Sequence, residues 1–159
     1  MSMDLSVDVT IKPIEDTDIE AVYRITEELG LSSWSRSDLR DELQNADSRL
    51  LIATVDATPV GFIVGRQVPG THVGSFDAEI YNIGVVFRFH QKGIGSSLLE
   101  HFLIWAKTRR ISNVWLEVRA SNISAYRFYE ARGFAEVTRR KDYYRGPTDD
   151  AIVMRTAVS

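Results

Sequence analysis

The stretch Tyr81–Leu99 has the sequence Tyr-Asn-Ile-Gly-Val-Val-Phe-Arg-Phe-His-Gln-Lys-Gly-Ile-Gly-Ser-Ser-Leu-Leu, which predicts a strand, a turn and the start of a helix. Ile83 and Val85 are apolar and β-branched, as in buried strands, and apolar residues recur at helical spacing in the second half. Glycines 93 and 95 let a phosphate approach the N–H groups of a helix N-terminus closely. The candidate residues of this pyrophosphate-binding loop are Gln91, Lys92, Gly93, Ile94, Gly95 and Ser96.

A Gly-x-Gly pattern alone is equally compatible with an ordinary tight turn. Two better-known nucleotide loops fit the stretch poorly. A Walker A loop has Gly-Lys followed by Ser or Thr, whereas Lys92 precedes the glycine here. A Rossmann fingerprint has a third glycine, and Leu98 stands in its place.

Composition places the chain among ordinary globular proteins. Its 159 residues suffice for one domain with a real core, and we expect a single domain over 1–159. The net charge of -3 gives no general attraction to nucleic acid. The absence of cysteine excludes disulfides and thiolate metal sites, and the three histidines are scattered, so no metal site is predicted. No signal sequence and no run approaching about 20 apolar residues is present, so we expect a cytoplasmic protein without membrane contact.

The pattern of apolar residues, turn residues and caps predicts the element order β-α-α-β-β-β-α-β-α-β-β. The first helix is expected to start at a capping box of Thr17 and Glu20, and the second at Ser35 or Ser37. A hairpin-rich first half followed by β-α-β-α-β favours a mixed sheet with helices on both faces.

Two motifs between Asn82 and Phe134 resemble the GNAT superfamily of acetyl-CoA-dependent N-acetyltransferases. The first is the glycine loop, in which His90 occupies the position where the family usually has Gln or Arg. The second is Asn122–Phe134, which matches the family pattern Asn-x-x-Ala-x-x-x-Tyr-x-x-x-Gly-Phe in full. The stretch Trp115–Asn122, with sequence Trp-Leu-Glu-Val-Arg-Ala-Ser-Asn, further resembles the RimI-type ribosomal-protein N-acetyltransferases.

The resemblance implies an α/β (α+β) GNAT fold. Its central mixed, mostly antiparallel β-sheet is splayed at the acetyl-CoA site, with helices on both faces. The implied activity is direct transfer of an acetyl group from acetyl-CoA to the N-terminal α-amine of a protein or peptide, a ribosomal protein among the possible acceptors. We expect a monomer or a weak homodimer.

The resemblance also assigns residues to the cofactor. It implies that the backbones of Ile83, Gly84 and Val85 hold the pantetheine arm and the acetyl carbonyl, and that Asn122 touches the pantetheine. Some of these residues have a structural alternative: Ile83 and Val85 also suit a plain core strand, and Asn122 suits a helix cap.

Two residues are candidates for proton transfer. Glu117 is the only acid in an apolar strand, where a carboxylate is costly to bury unless it is paired or wet. The resemblance makes it the general base, acting through water, and the alternative is a solvated or salt-bridged carboxylate. It makes Tyr129 the acid that protonates the departing thiolate, whereas an isolated tyrosine is more commonly half-buried in a core.

Three aromatic residues, Trp34, Tyr143 and Tyr144, are candidates for the walls of a peptide groove, with hydrophobic packing under loops as the alternative. Two other functions stay open. One is acetylation of a small amine such as a polyamine or an antibiotic. The other is a non-catalytic acyl-CoA-binding regulatory domain, which the presence of both Glu117 and Tyr129 disfavours because a pure binder needs neither.

Overall fold

The computed structural model describes residues 7–31 and 34–158. The described strands are β1 Val9–Pro13, β2 Ser48–Val55, β3 Thr58–Pro69, β4 Phe76–Val85, β5 Asn113–Arg119, β6 Ala135–Tyr144 and β7 Asp149–Ala157. The described α-helices are α1 Ile19–Leu29, α2 Arg36–Gln44, α3 Ile94–Thr108 and α4 Ile123–Glu130, with short 3-10 helices at Asp16–Asp18 and Phe87–Phe89. This element order confirms the predicted one.

Backbone hydrogen bonds order the strands as β1-β2-β3-β4-β5-β7-β6. The pairs β1–β2, β2–β3, β5–β7 and β6–β7 are antiparallel, and β4–β5 is parallel. The predicted mixed, mostly antiparallel sheet is therefore confirmed. The chain forms two compact units, and β3 and β4 each run through both.

Unit 1 contains the described part of Met1–Arg66 together with Asn82–Trp105. Consecutive residues are buried over Leu50–Ala53 in β2 and Val60–Val64 in β3, so both faces of these strands are covered. Helix α3 adds further fully buried side chains to this core. Its buried residues in the unit are Ile94, Leu98, Leu99, Phe102 and Trp105.

The two helix starts in unit 1 differ in how well the sequence predicted them. Ser35 caps α2 as one of the two expected caps: its Oγ accepts from the Asp38 N–H at 2.9 Å. The expected pair of Thr17 and Glu20 is wrong, because Thr17 lies inside the 3-10 turn and the Glu20 carboxylate accepts two hydrogen bonds from Arg36.

Unit 2 contains Gln67–Tyr81 and Ala106–Ser159, of which the structure describes all but the last residue. Strand β7 lies between β5 and β6 and is buried over Ala151–Met154, whereas β6 is exposed along nearly its whole length. The register of β6 with β7 shifts between Arg140 and Tyr144, with Asp142 at φ 52°. Because this bulge lets the strand continue, Tyr143 and Tyr144 end β6, whereas the sequence pattern predicts a polar loop over 141–149.

The parallel pairing of β4 with β5 in unit 2 is short. It comprises Ala78 with Val114 and Glu79 with Trp115, and the two strands stop pairing there although both continue. The predicted splay between these strands therefore begins immediately after Glu79.

Candidate active site

The glycine loop of unit 1 ends at the first turn of α3. The first intrahelical bond runs from the Ser97 N–H to the Gly93 carbonyl at 3.0 Å. The N–H groups of residues 94–96 precede this bond and lie at the positive end of the helix dipole. Gln91 and Gly93 both have positive φ angles, 60° and 79°, which turn the chain sharply into the helix.

Gly93 leaves open space in front of this helix start. A Cβ built on it would meet no atom within 4 Å, so a side chain there would occupy room that a bound group can use. The donors of the first turn and this room together fit a phosphate. Phosphate binding by this loop stays a prediction beside the alternative of an ordinary tight turn.

His90 ties this loop to the end of β4. Its Nε2 lies 2.6 Å from the carbonyl oxygen of Val85, and because a carbonyl only accepts, Nε2 carries the proton. The ring also packs on Phe87, with centroids 5.0 Å apart. The departure from the usual Gln or Arg thus has a structural role, and one lone pair of the Val85 carbonyl is engaged within the chain.

The strand residues assigned to the cofactor have different environments. Ile83 and Val85 are half-buried, whereas Gly84 is buried. A Cβ on Gly84 would lie 2.8 Å from Leu29 Cδ1 and 2.9 Å from Leu31 Cδ1, so packing alone already favours glycine there. Trp34 lies in the same unit, and its indole N–H donates to the Asn82 side-chain oxygen.

A pocket of about 830 Å³ opens in unit 2 where the β4–β5 pairing ends. Three predicted site residues line it together, namely Glu117, Tyr143 and Tyr144. Among its other lining residues are Asp77, Glu79, Trp115 and Arg140, none of which the sequence predicted as a site residue. Asn122 and Tyr129 belong to the same unit but are not among its lining residues.

Glu117 extends from β5 into this pocket between two buried neighbours. Leu116 and Val118 are 4% and 6% exposed, while about a third (32%) of the Glu117 side chain is accessible. Its Oε1 lies 3.5 Å from Nη1 of Arg140 on β6. The Glu117 carboxylate is therefore accessible to solvent and paired with Arg140, which is the alternative to a catalytic role given above. It nevertheless lines the pocket.

Tyr144 lies within electrostatic reach of Glu117. Burial, followed by the negative charge of Glu117, raises the pKa of Tyr144 above its ordinary value. Its ring meets that of Tyr143 edge to face, with centroids 5.1 Å apart, and Arg140 lies over the Tyr143 ring. Tyr144 thus presents a protonated hydroxyl next to a carboxylate.

Asp77 and Glu79 are the acidic residues of the pocket that sequence reasoning missed. Asp77 is buried and accepts hydrogen bonds from Trp115 Nε1 at 2.9 Å and from the Asn113 N–H at 3.2 Å. Glu79 is exposed and has no hydrogen-bond or ion-pair partner among the described residues. The signal was present, since the alternation Asp-Ala-Glu in a strand places both carboxylates on one face.

Helix α4 carries the other two predicted residues of unit 2. Asn122 is its cap, because its side-chain oxygen accepts from the Ala125 N–H at 3.1 Å. Tyr129 is 8% exposed and packs edge to face on Phe134, with centroids 5.6 Å apart. This burial raises the pKa of Tyr129 well above its ordinary value, so the hydroxyl keeps its proton at any physiological pH.

The sequence and the fold both match known acetyltransferases. Residues 19–134 match the model of the Acetyltransferase (GNAT) family. The chain belongs to the GNAT acetyltransferase family. It is 34% identical over 154 residues to the ribosomal protein bS18-alanine N-acetyltransferase of Escherichia coli (strain K12), covering 94% of this chain and 98% of that protein.

One further relative and one solved structure extend the comparison. The N-alpha-acetyltransferase RimI of Mycobacterium tuberculosis is 31% identical over 153 residues, covering 92% of this chain and 91% of that protein. The crystal structure of the Escherichia coli ribosomal-protein-S18-alanine N-acetyltransferase superposes with a TM-score of 0.85 at 31% identity, covering 96% of this chain and 95% of that one. The RimI-type resemblance and the GNAT fold are thereby confirmed. In the described part of this GNAT chain, no helix is long and apolar enough to cross a membrane.

The buried Tyr129 hydroxyl predicts a specific loss of stability at alkaline pH. A raised pKa in the folded state contributes stability that is fully present below about pH 10 and is lost as the pH rises towards the folded value. We expect the free energy of unfolding of the wild type to fall by about 1.4 kcal/mol per pH unit more than that of Tyr129→Phe above this point. Urea unfolding at pH 8, 10 and 11 measures it.

The control is Tyr143→Phe, since this side chain is 49% exposed. Its stability should fall with pH in parallel with the wild type. Parallel curves for the wild type and Tyr129→Phe would instead show that the Tyr129 hydroxyl is hydrated in the folded protein.

Proposed function

We propose that this chain is an acetyl-CoA-dependent N-acetyltransferase that transfers the acetyl group directly to the N-terminal α-amine of a protein or peptide. The observation that carries the proposal is the pocket of unit 2, where Glu117 lies in an acidic, aromatic-walled cleft suited to an ammonium group. The names of the relatives support a ribosomal protein as the acceptor.

Unit 1 supplies the groups that bind the co-substrate. The N–H groups of residues 94–96 bind the pyrophosphate, with Gln91 and Lys92 flanking it. The backbones of Ile83, Gly84 and Val85 bind the pantetheine arm and the carbonyl oxygen. When bound, acetyl-CoA supplies the acetyl group as a thioester. A fixed N–H aimed at the developing oxyanion contributes roughly 3–4 kcal/mol to such reactions.

Glu117 and Tyr129 move the protons in the proposed reaction. Glu117 takes the amine proton through a water molecule, so that the nitrogen lone pair can attack the carbonyl carbon. The new C–N bond forms as the C–S bond breaks, and the electron pair of that bond leaves on sulfur. Tyr129 donates its hydroxyl proton towards this sulfur. Trp34, Tyr143 and Tyr144 are the proposed contacts of the acceptor.

The chemistry of the base favours an α-amine over a lysine side chain. An α-amino group has an ordinary pKa near 8, whereas that of lysine is near 10.4. Near neutrality the lysine therefore costs roughly 3 kcal/mol more to deprotonate. A solvated carboxylate that acts through water, as Glu117 does, meets the smaller demand.

A peptide assay tests the proposed acceptor. We expect labelled acetyl-CoA to modify peptides with a free N-terminus and not the same peptides with a blocked N-terminus and an internal lysine. An array of N-terminal sequences, each beside its blocked twin, measures both. Modification of the blocked lysine peptides, or of polyamines alone, would contradict an α-amine acceptor.

The phosphate loop predicts a loss of affinity for acetyl-CoA in Gly93→Ala. The added Cβ enters the open space in front of α3, so we expect binding to weaken by roughly tenfold, or about 1.4 kcal/mol. Calorimetric titration measures it. Gly74→Ala is the matched control, because Gly74 also has a positive φ (81°) and open space, which makes the backbone strain comparable. Equal affinities in the two variants would remove the loop from the site.

Glu117→Gln keeps the size of the side chain but removes the base. We expect turnover on a peptide to fall by roughly 10²–10⁴-fold near neutral pH. The loss should shrink as the pH rises past about 8, because more of the α-amine is then already neutral. The pH–rate profiles of both proteins measure this dependence.

Glu136→Gln is the control for the base, since Glu136 is also a strand carboxylate paired with an arginine, Arg139 at 2.5 Å, but does not line the pocket. It should keep the wild-type profile. Full activity of Glu117→Gln at pH 7 would place the deprotonation elsewhere.

A further inference from the structure

Arg119 is the last residue of β5 and lies two residues after Glu117, on the same face of the strand. Its guanidinium reaches the turn that joins β6 to β7. Nη1 donates to the Pro147 carbonyl at 3.1 Å and Nη2 donates to the Arg145 carbonyl at 3.4 Å. Its Cζ lies 4.3 Å from the centre of the Tyr144 ring, within the range of a cation–π contact.

The two residues that follow Arg119 bond to the start of β7, next to the same turn. The Ala120 N–H donates to the Asp150 carbonyl at 2.9 Å, which extends the β5–β7 pairing beyond Arg119 and Ala151. The N–H and hydroxyl of Ser121 donate to the Asp149 carboxylate at 3.1 and 2.5 Å, and these bonds lower the pKa of Asp149. Arg119 is therefore the residue that bonds to the turn itself, and its two successors bond to the strand that follows the turn.

These contacts matter because the turn directly follows Tyr144, which lines the pocket. Tyr144 is the last residue of β6 and pairs with Asp149 across the turn. Strand β6 is an exposed edge strand whose register shifts just before Tyr144, and such segments open easily. Tyr144 is half-buried, and the guanidinium plane of Arg119 packs on its ring and restrains its position.

We propose that Arg119 is a positioning residue for the acceptor: it fixes the 145–148 turn and the adjacent ring of Tyr144, which lines the pocket. This inference rests on the proposed function, because it concerns the same acceptor. A planar guanidinium can bond two carbonyls and cover a ring at the same time, which a lysine ammonium cannot do. The planar, forked shape of the Arg119 guanidinium, and not its charge alone, therefore positions the turn and the Tyr144 ring.

Steady-state kinetics separate this role from a general structural one. In Arg119→Gln we expect the KM for the peptide to rise about tenfold, while kcat and the KM for acetyl-CoA stay within about twofold. Arg119→Lys should resemble Arg119→Gln, because it keeps the charge and loses the fork. An unchanged peptide KM, or equal loss in all three parameters, would overturn the proposal.

Arg132→Gln is the matched control. Arg132 makes the same two kinds of contact outside the pocket, since Nη1 donates to the Phe128 carbonyl at 2.9 Å and Cζ lies 3.8 Å from the Phe128 ring centre. All three kinetic parameters should stay at wild-type values in this variant. A peptide KM raised as much as in Arg119→Gln would show that the effect is not specific to the pocket wall, and would overturn the proposal.

A double-mutant cycle tests whether Arg119 acts through Tyr144. If it does, Arg119→Gln should raise the peptide KM by less than about twofold in a Tyr144→Ala background, so that the two effects are non-additive. Additive effects would mean that Arg119 influences the acceptor by another route, against the proposal.

Hydrogen exchange tests the contacts between Arg119 and the turn without any substrate. We expect the backbone amides of residues 144–150 to exchange at least about fivefold faster in Arg119→Gln than in the wild type, with no change in α4. Unchanged exchange would overturn the proposal. If the wild type acetylates no peptide, the proposed function fails, and the exchange rates still decide whether Arg119 holds the turn.

Discussion

The pocket of unit 2 opens because β4 and β5 stop pairing after Glu79 and Trp115. Had the parallel register continued past Glu79 and Trp115, Ile80 and Leu116 would have closed the sheet by ordinary ladder bonds. Because the strands stop pairing, the following residues line a cavity and Glu117 is accessible within it. The opening leaves the Glu117 carboxylate of this otherwise apolar strand accessible to solvent and to Arg140, so that its burial carries no unpaired charge.

Of the three carboxylates that line the pocket, two have a partner among the described residues and one does not. Asp77 is committed to Trp115 and Asn113, and Glu117 is paired with Arg140. Glu79 adds a third negative charge with no partner among the described residues. A cleft with excess negative charge raises the local concentration of cations. Near neutral pH an acceptor amine is mostly an ammonium ion, which the negative charge of the pocket attracts. Because an ammonium ion has no free lone pair, a base must remove its proton before the nitrogen can attack.

The parts of the molecule that sequence predicted are those that local rules determine. The phosphate loop, the Asn122 cap and the order of elements depend on spacing within one segment, and all three are visible as patterns. The pocket is different, because β7 lies between β5 and β6 and brings Arg140 to Glu117 across 23 residues of chain. Asp77 and Glu79 join them through a pairing of only two residue pairs. Contacts between distant segments have no pattern in the sequence that predicts them. The bulge that places Tyr144 in a strand also has no such pattern.

The two tyrosines with raised pKa values are suited to different tasks because the causes differ. Tyr144 is affected by burial and by the Glu117 charge, both of which favour the protonated hydroxyl. Tyr129 is affected by burial alone and lies among aromatic rings. A thiol has an ordinary pKa near 8.5, so complete transfer of the Tyr129 proton to a thiolate is uphill. In the proposed reaction Tyr129 therefore donates towards the departing sulfur through a hydrogen bond that strengthens as charge develops there.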